Sequence, residues 1–299
     1  MPSLSPGPLT DDALAALAHQ YGVPATEIRP VPGGVANRAF LLGDDLFLRI
    51  PREPAFVHDL RKEAEVIPVA RAAGVQTPAI VEFDESCALI DSPYMVVERV
   101  RGLDLTDAGS SERTWPELGR QLAMLHAVRP HQLPNVAVDD GGGDPRPRVD
   151  ELAHAGYLDP GTARWLIGWF DRLAARIPRD QPDVLLHGDV APQNLLVDAT
   201  TGDFRALIDW GDAAWGTPGM EFAKLRLADV AAVLEGYGAR EADVLEASVL
   251  WFHLSWGLSG IAKAPRPGER HWTAPPASRL LGILRFFAAS PPPPRSGLG

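Results

Sequence analysis

The residues best suited to chemistry lie between Val184 and Met220, in the run VLLHGDVAPQNLLVDATTGDFRALIDWGDAAWGTPGM. Asp189 follows His187-Gly188, Asn194 comes five residues later, and Asp209 fifteen residues after that. Leu195-Leu196-Val197 reads as a short buried strand, Thr200-Thr201-Gly202-Asp203 as a turn, and Phe204 to Ile208 as a second strand. A hairpin of this kind returns the end of its second strand to the start of its first, so Asp189, Asn194 and Asp209 can converge. Phosphoryl transfer needs a carboxylate that orients and deprotonates an attacking hydroxyl, and hard oxygen ligands for Mg²⁺ on the triphosphate. Asp189 fits the base. Asn194 and Asp209 fit the metal ligands.

Upstream elements must hold a nucleotide against these groups. Thr10-Asp11-Asp12 is a helix start, with Leu14, Leu17 and Ala18 as its apolar face. From Ile28 to Leu42 apolar residues alternate on either side of Gly33-Gly34, and Gly43-Asp44-Asp45 turns the chain into Leu46–Ile50. Three strands are expected, and glycines in the first turn let backbone amides approach an anion closely. Phe47 and Arg49 share one strand face; Phe47 can lie against an adenine ring or fill core, and a guanidinium can bridge two phosphate oxygens. Residues 59–67 form the nearby helix candidate, carrying Glu63 and Glu65. A strand from Ala79 to Phe83 precedes Tyr94–Glu98, which runs into Arg99-Val100-Arg101-Gly102 as a hinge would.

The second half is mostly helical in pattern. Trp115 to Val128 places Leu118, Leu122 and Leu125 on one face, with His126 as a packed helix-end residue. Residues 129–150, with three consecutive glycines and several prolines, read as an insert at the cleft mouth or a mobile loop. Gly161 to Ile177 is amphipathic, 225–262 is helical with Glu235, Glu241, Asp243 and Glu246 on a solvated face, and 277–288 is a last short helix. The closing SPPPPRSGLG reads as a loose tail.

Length and composition bound the class. A chain of 299 residues, 45% apolar and 22% charged, suits two lobes sharing a cleft. A net charge of −11 argues against nucleic acid or an anionic membrane as partner and is compatible with a cationic substrate. Cys87 is the single cysteine, which fits a reducing cytoplasm, and no signal-like or membrane-spanning stretch is visible.

The spacing H-x-D-x-x-x-x-N is that of the protein-kinase catalytic loop. Here Gly188 replaces its Arg, and Asp209 sits in Ile-Asp-Trp in place of Asp-Phe-Gly. In that form the chain resembles the aminoglycoside phosphotransferase family of kinase-like small-molecule phosphotransferases, and its LRIPRE run is similar to macrolide phosphotransferases. The resemblance implies an α+β, protein-kinase-like two-lobed fold. Its small antiparallel β N-lobe would take residues 1–100, its mainly helical C-lobe 101–290, and a disordered tail 291–299. It implies ATP or GTP with Mg²⁺ as cofactors. Arg49 then takes the place of the strand Lys that holds phosphates, with Glu63 as its partner and Glu65 as the fallback. Gly33 and Gly34 lie over the phosphates, Phe47 against adenine, and the Glu98 carbonyl and Val100 amide pair with that base. Glu221 stands where the family has a structural Asp, and Asp212 offers a further carboxylate for metal, substrate or a cap. The implied activity is O-phosphorylation of a small hydroxylated molecule, an aminoglycoside or macrolide antibiotic first, a metabolic alcohol or sugar as the alternative. Two rivals stand beside it. One is a metal hydrolase liganded by His187, Asp189, Asp209 and Asp212; the other is a nucleotide-binding scaffold, for which Arg49 in place of Lys is the sole support.

Overall fold

The computed structural model describes residues 9–32, 34, 36–178, 180–238, 242–265, 275–291 and 295–299, without the side chains of 242 and 243. Helix α1 (Asp11–Gln20) starts where the Thr10 hydroxyl accepts from the Ala13 amide at 3.2 Å. Then follow β1 (Ile28–Val31), β2 (Asn37–Leu42), β3 (Leu46–Pro51), α2 (Val57–Ala72), β4 (Ile80–Asp84) and β5 (Tyr94–Glu98). The strands form one antiparallel sheet in the order β1-β2-β3-β5-β4. Strand alternation divides its residues. Phe40, Leu42, Leu48 and Ile50 pack with Leu14 and Leu17 of α1 on one face. Ala39 opposes Arg49 and Leu41 opposes Phe47 on the other, where Phe47 packs against Leu60 of α2, Met95 and Val97. The sheet therefore uses one face for core and offers Arg49 on the face towards α2.

The helical lobe opens with β6 (Leu103–Asp104). It contains α3 (Thr114–His126), α4 (Arg146–His154), α5 (Pro160–Ala174), β7 (Val184–Leu186), β8 (Leu195–Val197), β9 (Phe204–Leu207) and β10 (Ala214–Gly216), then α6 (Pro218–Phe222), α7 (Leu227–Tyr237), α8 (Ala242–Ile261) and α9 (Ser278–Ala288). Strands β6, β8 and β9 make one small antiparallel sheet, with Leu195 opposite Leu207, and β7 pairs with β10. The expected hairpin is present. Helices α3 and α7 meet backbone to backbone: a Cβ on Gly119 would lie 1.9 Å from the Val233 carbonyl oxygen, and one on Gly236 1.8 Å from that of Pro116. Among the described residues no helix is long and apolar enough to cross a membrane.

Four expectations need correction. Residues 129–150 are not a loose insert. Leu133 and Val136 are buried in the main core, the Asp139 amide donates to the Trp215 carbonyl at 2.8 Å, and α4 already starts at Arg146. The helical stretch from 225 is broken. Gly238, at φ 71°, ends α7 in the left-handed conformation that a glycine tolerates, and α8 begins at Ala242. Glu246 is not solvated: it is 6% exposed and paired with Arg295 at 2.8 Å, while Glu241 and the side chain of Asp243 lie outside the described residues. That pairing also bears on the tail. Arg295–Gly297 forms a turn, Leu298 is buried, and its carbonyl accepts from the Trp169 indole at 2.6 Å. A single Leu with a buried indole N–H to satisfy outweighs the polar composition around it.

Candidate active site

The loop after β7 carries the first group of functional side chains. Gly188 turns it at φ 83°, where a Cβ would meet the Asp212 carbonyl oxygen at 2.1 Å, so only glycine fits. His187 is fully buried against Trp210, with ring centroids 4.5 Å apart. Its Nδ1 accepts from the Asp189 amide at 3.3 Å, which leaves Nε2 to donate to the Ile208 carbonyl at 3.1 Å. His187 is thus a tie between the Asp189 loop and the Asp209 loop. Asn194 supplies a second tie. Its Nδ2 donates at 2.9 Å to both the Asp189 carbonyl and Asp189 Oδ2, and its backbone carbonyl accepts from the Ile208 amide at 3.0 Å. Asp189, Asn194 and Asp209 are therefore brought together, Asp209 in a left-handed backbone conformation at φ 69°.

Arg49 reaches this cluster from β3. Its Nη2 donates to Asp209 Oδ1 at 2.7 Å, and its Nη1 donates to Glu63 of α2. Glu63 is 1% exposed and Glu65 is exposed, so the ion-pair partner is Glu63. Burial raises the Glu63 carboxyl to about 7, against the pull of Arg49. For Arg49, burial works against the charge, and Glu63 and Asp209 more than offset it, holding the guanidinium above its ordinary value. Lys62 donates to the Gly211 carbonyl at 2.6 Å and the Trp210 indole to the Thr77 hydroxyl at 2.9 Å, so the loop bearing Asp209 is fastened to α2 and to the segment after it.

The other sequence-derived residues sit around this centre. Phe47 lies two residues before Arg49 on the same strand face. Gly34 has φ 72° and its carbonyl accepts from Arg52 at 3.1 Å, while Gly33 lies outside the described residues. Glu98 ends β5 with an exposed side chain, and the next amide, of Arg99, donates to Asp45 at 2.8 Å; Val100 follows, half-buried. Asp212 is exposed.

Two residues carry more than their sequence suggests. Glu221, 1% exposed on α6, accepts the His187 amide on Oε2 at 2.5 Å and the Gly188 amide on Oε1 at 3.2 Å, with His126 Nε2 at 3.7 Å. Burial pushes its carboxyl up, but His126 and His187 pull it below the ordinary value. It pins the backbone just before Asp189. Lys224, three residues on, places its ammonium 3.8 Å from Asp189 Oδ1. Burial raises the Asp189 carboxyl above 3.8, with Lys224 opposing that rise. Nothing in the local sequence marks Lys224; its relation to Asp189 arises only from the packing of α6.

The oxygens present suit Mg²⁺. Asn194 spends its side-chain nitrogen on Asp189 and keeps its Oδ1, and that oxygen and the Asp209 carboxylate are both hard donors. Both His187 ring nitrogens are engaged, one with the Asp189 amide and one with the Ile208 carbonyl, so His187 does not offer the ligand that the hydrolase reading assigns to it.

A small antiparallel sheet over a helical lobe, with a buried strand Arg–helix Glu pair above an Asp-Asn-Asp cluster, defines the kinase-like class. Residues 27–252 match the model of the phosphotransferase enzyme family (APH), and the chain belongs to that family. It is 25% identical to mouse acyl-CoA dehydrogenase family member 10 over 175 residues, 54% of this chain and 16% of that protein. It is 29% identical to aminoglycoside 3'-phosphotransferase of Streptomyces fradiae over 180 residues, 54% of this chain and 61% of that enzyme. The chain thus spans less than two thirds of the length of either relative, about a sixth of the first and three fifths of the second. Its fold is that of aminoglycoside 2'-phosphotransferase-IIIa in complex with GDP, with a TM-score of 0.65 at 20% identity over 86% of this chain and 91% of that one.

Proposed function

We propose that the protein transfers the γ-phosphoryl group of ATP to a hydroxyl of a small molecule. The observation that carries this reading is the meeting of Asp189, Asn194 and Asp209 under the Arg49–Glu63 pair. Asp189 orients the acceptor hydroxyl and takes its proton as the hydroxyl oxygen bonds to the γ-phosphorus; the bond to the β-phosphate oxygen breaks and ADP leaves. Arg49 and the turn at Gly33-Gly34 hold phosphate oxygens, Phe47 lies along the adenine ring, and the backbone at Glu98 and Val100 pairs with its edge. Asn194 and Asp209 would hold Mg²⁺, which neutralises charge on the triphosphate. GTP is the alternative donor. The lobes divide near residue 100, and the site of action is the cytoplasm. Relatives and structural neighbours that act on aminoglycosides support an antibiotic acceptor of aminoglycoside or macrolide type; a metabolic alcohol or sugar kinase uses the same chemistry.

The test is nucleotide turnover with Mg²⁺ against a panel of hydroxylated antibiotics, sugars and alcohols, after a thermal-shift screen with an ATP analogue. Asp209→Ala is expected to abolish transfer, and Asn194→Ala to lose less and to recover in part at raised Mg²⁺, because an ionised ligand counts for more than a neutral amide. Equal, mild and Mg²⁺-independent losses in both would identify the hairpin as structural only. Nucleotide binding without transfer to any acceptor would favour a scaffold.

A further inference from the structure

The helical lobe sets one cation against Asp189, and its placement is built rather than incidental. Lys224 follows α6 directly, and α6 is anchored beneath the catalytic loop by Glu221. The buried Arg279 donates to the Ala223 carbonyl at 2.5 Å, fixing the backbone one residue before Lys224. The Lys224 ammonium lies 5.2 Å from the ring centroid of Trp256 on α8 and 3.8 Å from Asp189 Oδ1, with 29% of its side chain exposed. A ring face and a carboxylate both attract an ammonium.

Asp189 presents two oxygens, and they are not equivalent. Oδ2 is engaged by Asn194 Nδ2 at 2.9 Å. Oδ1 is the oxygen left for an acceptor hydroxyl, and among the described residues the ion pair of Asp189 is with Lys224. A hydroxyl seated on Oδ1 at about 2.7 Å falls within about 6.5 Å of that ammonium, so a substituent on the neighbouring carbon comes within its reach. Lys has three donors and no acceptor. An oxygen on the neighbouring carbon satisfies it; an ammonium there meets like charge.

We propose that Lys224 is a specificity-determining residue of the acceptor subsite, donating to an oxygen function beside the phosphorylated hydroxyl, so that the acceptor is a neutral or anionic polyhydroxyl compound and not a polycation. This rests on the phosphotransferase reading of Asp189 and narrows its acceptor. It also sets aside the antibiotic polycations that the net charge of −11 admits. Lys224 stands there against the carboxylates of Asp189, Asp209 and Asp212, and its short-range contact with the neighbouring substituent decides the subsite, since salt screens the mean field of the surface beyond about 8 Å.

The experiment titrates two probes, kanamycin as a polycation and gluconate as a polyhydroxy carboxylate, into wild type, Lys224→Met and Lys224→Glu by calorimetry. Each titration is run with and without an ATP analogue and Mg²⁺. Kanamycin is expected to bind Lys224→Glu at least tenfold more tightly than wild type, with Lys224→Met between them, and gluconate to show the reverse order. Lys224→Met keeps the length of the side chain and decides the matter if the Glu variant fails to fold. Equal behaviour of the proteins towards either probe overturns the proposal, as does kanamycin binding wild type as tightly as the variants, in which case the exposed Asp212 governs the subsite. Failure of the nucleotide to bind any of the proteins refutes the phosphotransferase reading, and the kanamycin order without nucleotide still decides the role of Lys224.

Discussion

Replacing Glu221 with Gln changes one atom type and no volume, yet it should loosen the catalytic loop. The two carboxylate oxygens accept the His187 and Gly188 amides, at 2.5 and 3.2 Å, from a position that is 1% exposed. A Gln side chain offers one carbonyl oxygen and one NH₂ group, so one of the two amides must then face a donor. A hydrogen bond to a charged acceptor contributes about 1.5–3 kcal/mol, and a buried amide left unpaired adds about 1–3 kcal/mol. About 3 kcal/mol of destabilisation is expected, or a drop of about 5 °C in Tm for a chain of this size. Because Asp189 follows Gly188 directly, kcat should fall by at least tenfold as the base loses its orientation. Glu221→Asp keeps the charge on a shorter arm and should recover part of both losses. Acidity supplies a second reading. The Glu221 carboxyl is held below its ordinary 4.5, so its contribution is present above pH 4.5 and is lost as pH falls through the lower folded value. The Tm gap between wild type and Glu221→Gln should therefore close on acidification. A Gln variant with wild-type Tm and turnover at neutral pH would refute the assignment of Glu221 as the anchor.

Two further outcomes follow from the site. Asp189→Asn should bind nucleotide normally and lose a factor of about 10²–10⁴ in transfer rate, and the acid limb of wild-type kcat/KM should lie above pH 3.8 because burial raises the Asp189 carboxyl; an unchanged transfer rate would remove Asp189 as the base. Arg49→Ala should raise the KM for ATP and lower kcat/KM by about 2–4 kcal/mol, while Arg49→Lys should restore only part, because one ammonium cannot reproduce a fork that serves Glu63 and Asp209 from separate nitrogens. Steady-state turnover that matches wild type in Arg49→Ala would place the nucleotide clamp elsewhere.

The geometry of the site was legible where it is local. The His-Gly-Asp turn, the Asn five residues on and the hairpin that returns Asp209 are set by turn residues and short apolar runs, and the strand pattern put Phe47 and Arg49 on one face. Arg49 and Glu63 could be paired by resemblance because a helix that follows the strand directly has few ways to pack on it. What escaped was set by long-range packing. Glu221 meets His187 across 34 residues of chain, and Glu246 meets Arg295 across 49, so an acid read as solvated is buried instead. Lys224 looks like any surface cation until Arg279 and Trp256 fix its direction. The run 129–150 misled because its glycines and prolines drew notice away from Leu133 and Val136, each of which has its own place in the core.

The backbone contact between α3 and α7 reaches further than packing. These helices bring His126 and Tyr237 together at 2.9 Å, and His126 in turn stands beside Glu221. Any side chain at Gly119 or Gly236 would force the helices apart and carry this chain of contacts with it, up to the amides that precede Asp189. A saturation mutagenesis map of this protein would thus show two intolerant glycines deep in the helical lobe, side by side with Asp189 and Asp209. Read as a map of substrate contacts, it would mislead; read as a map of distances that must be kept, it would trace the route by which the lobe holds its catalytic loop in place.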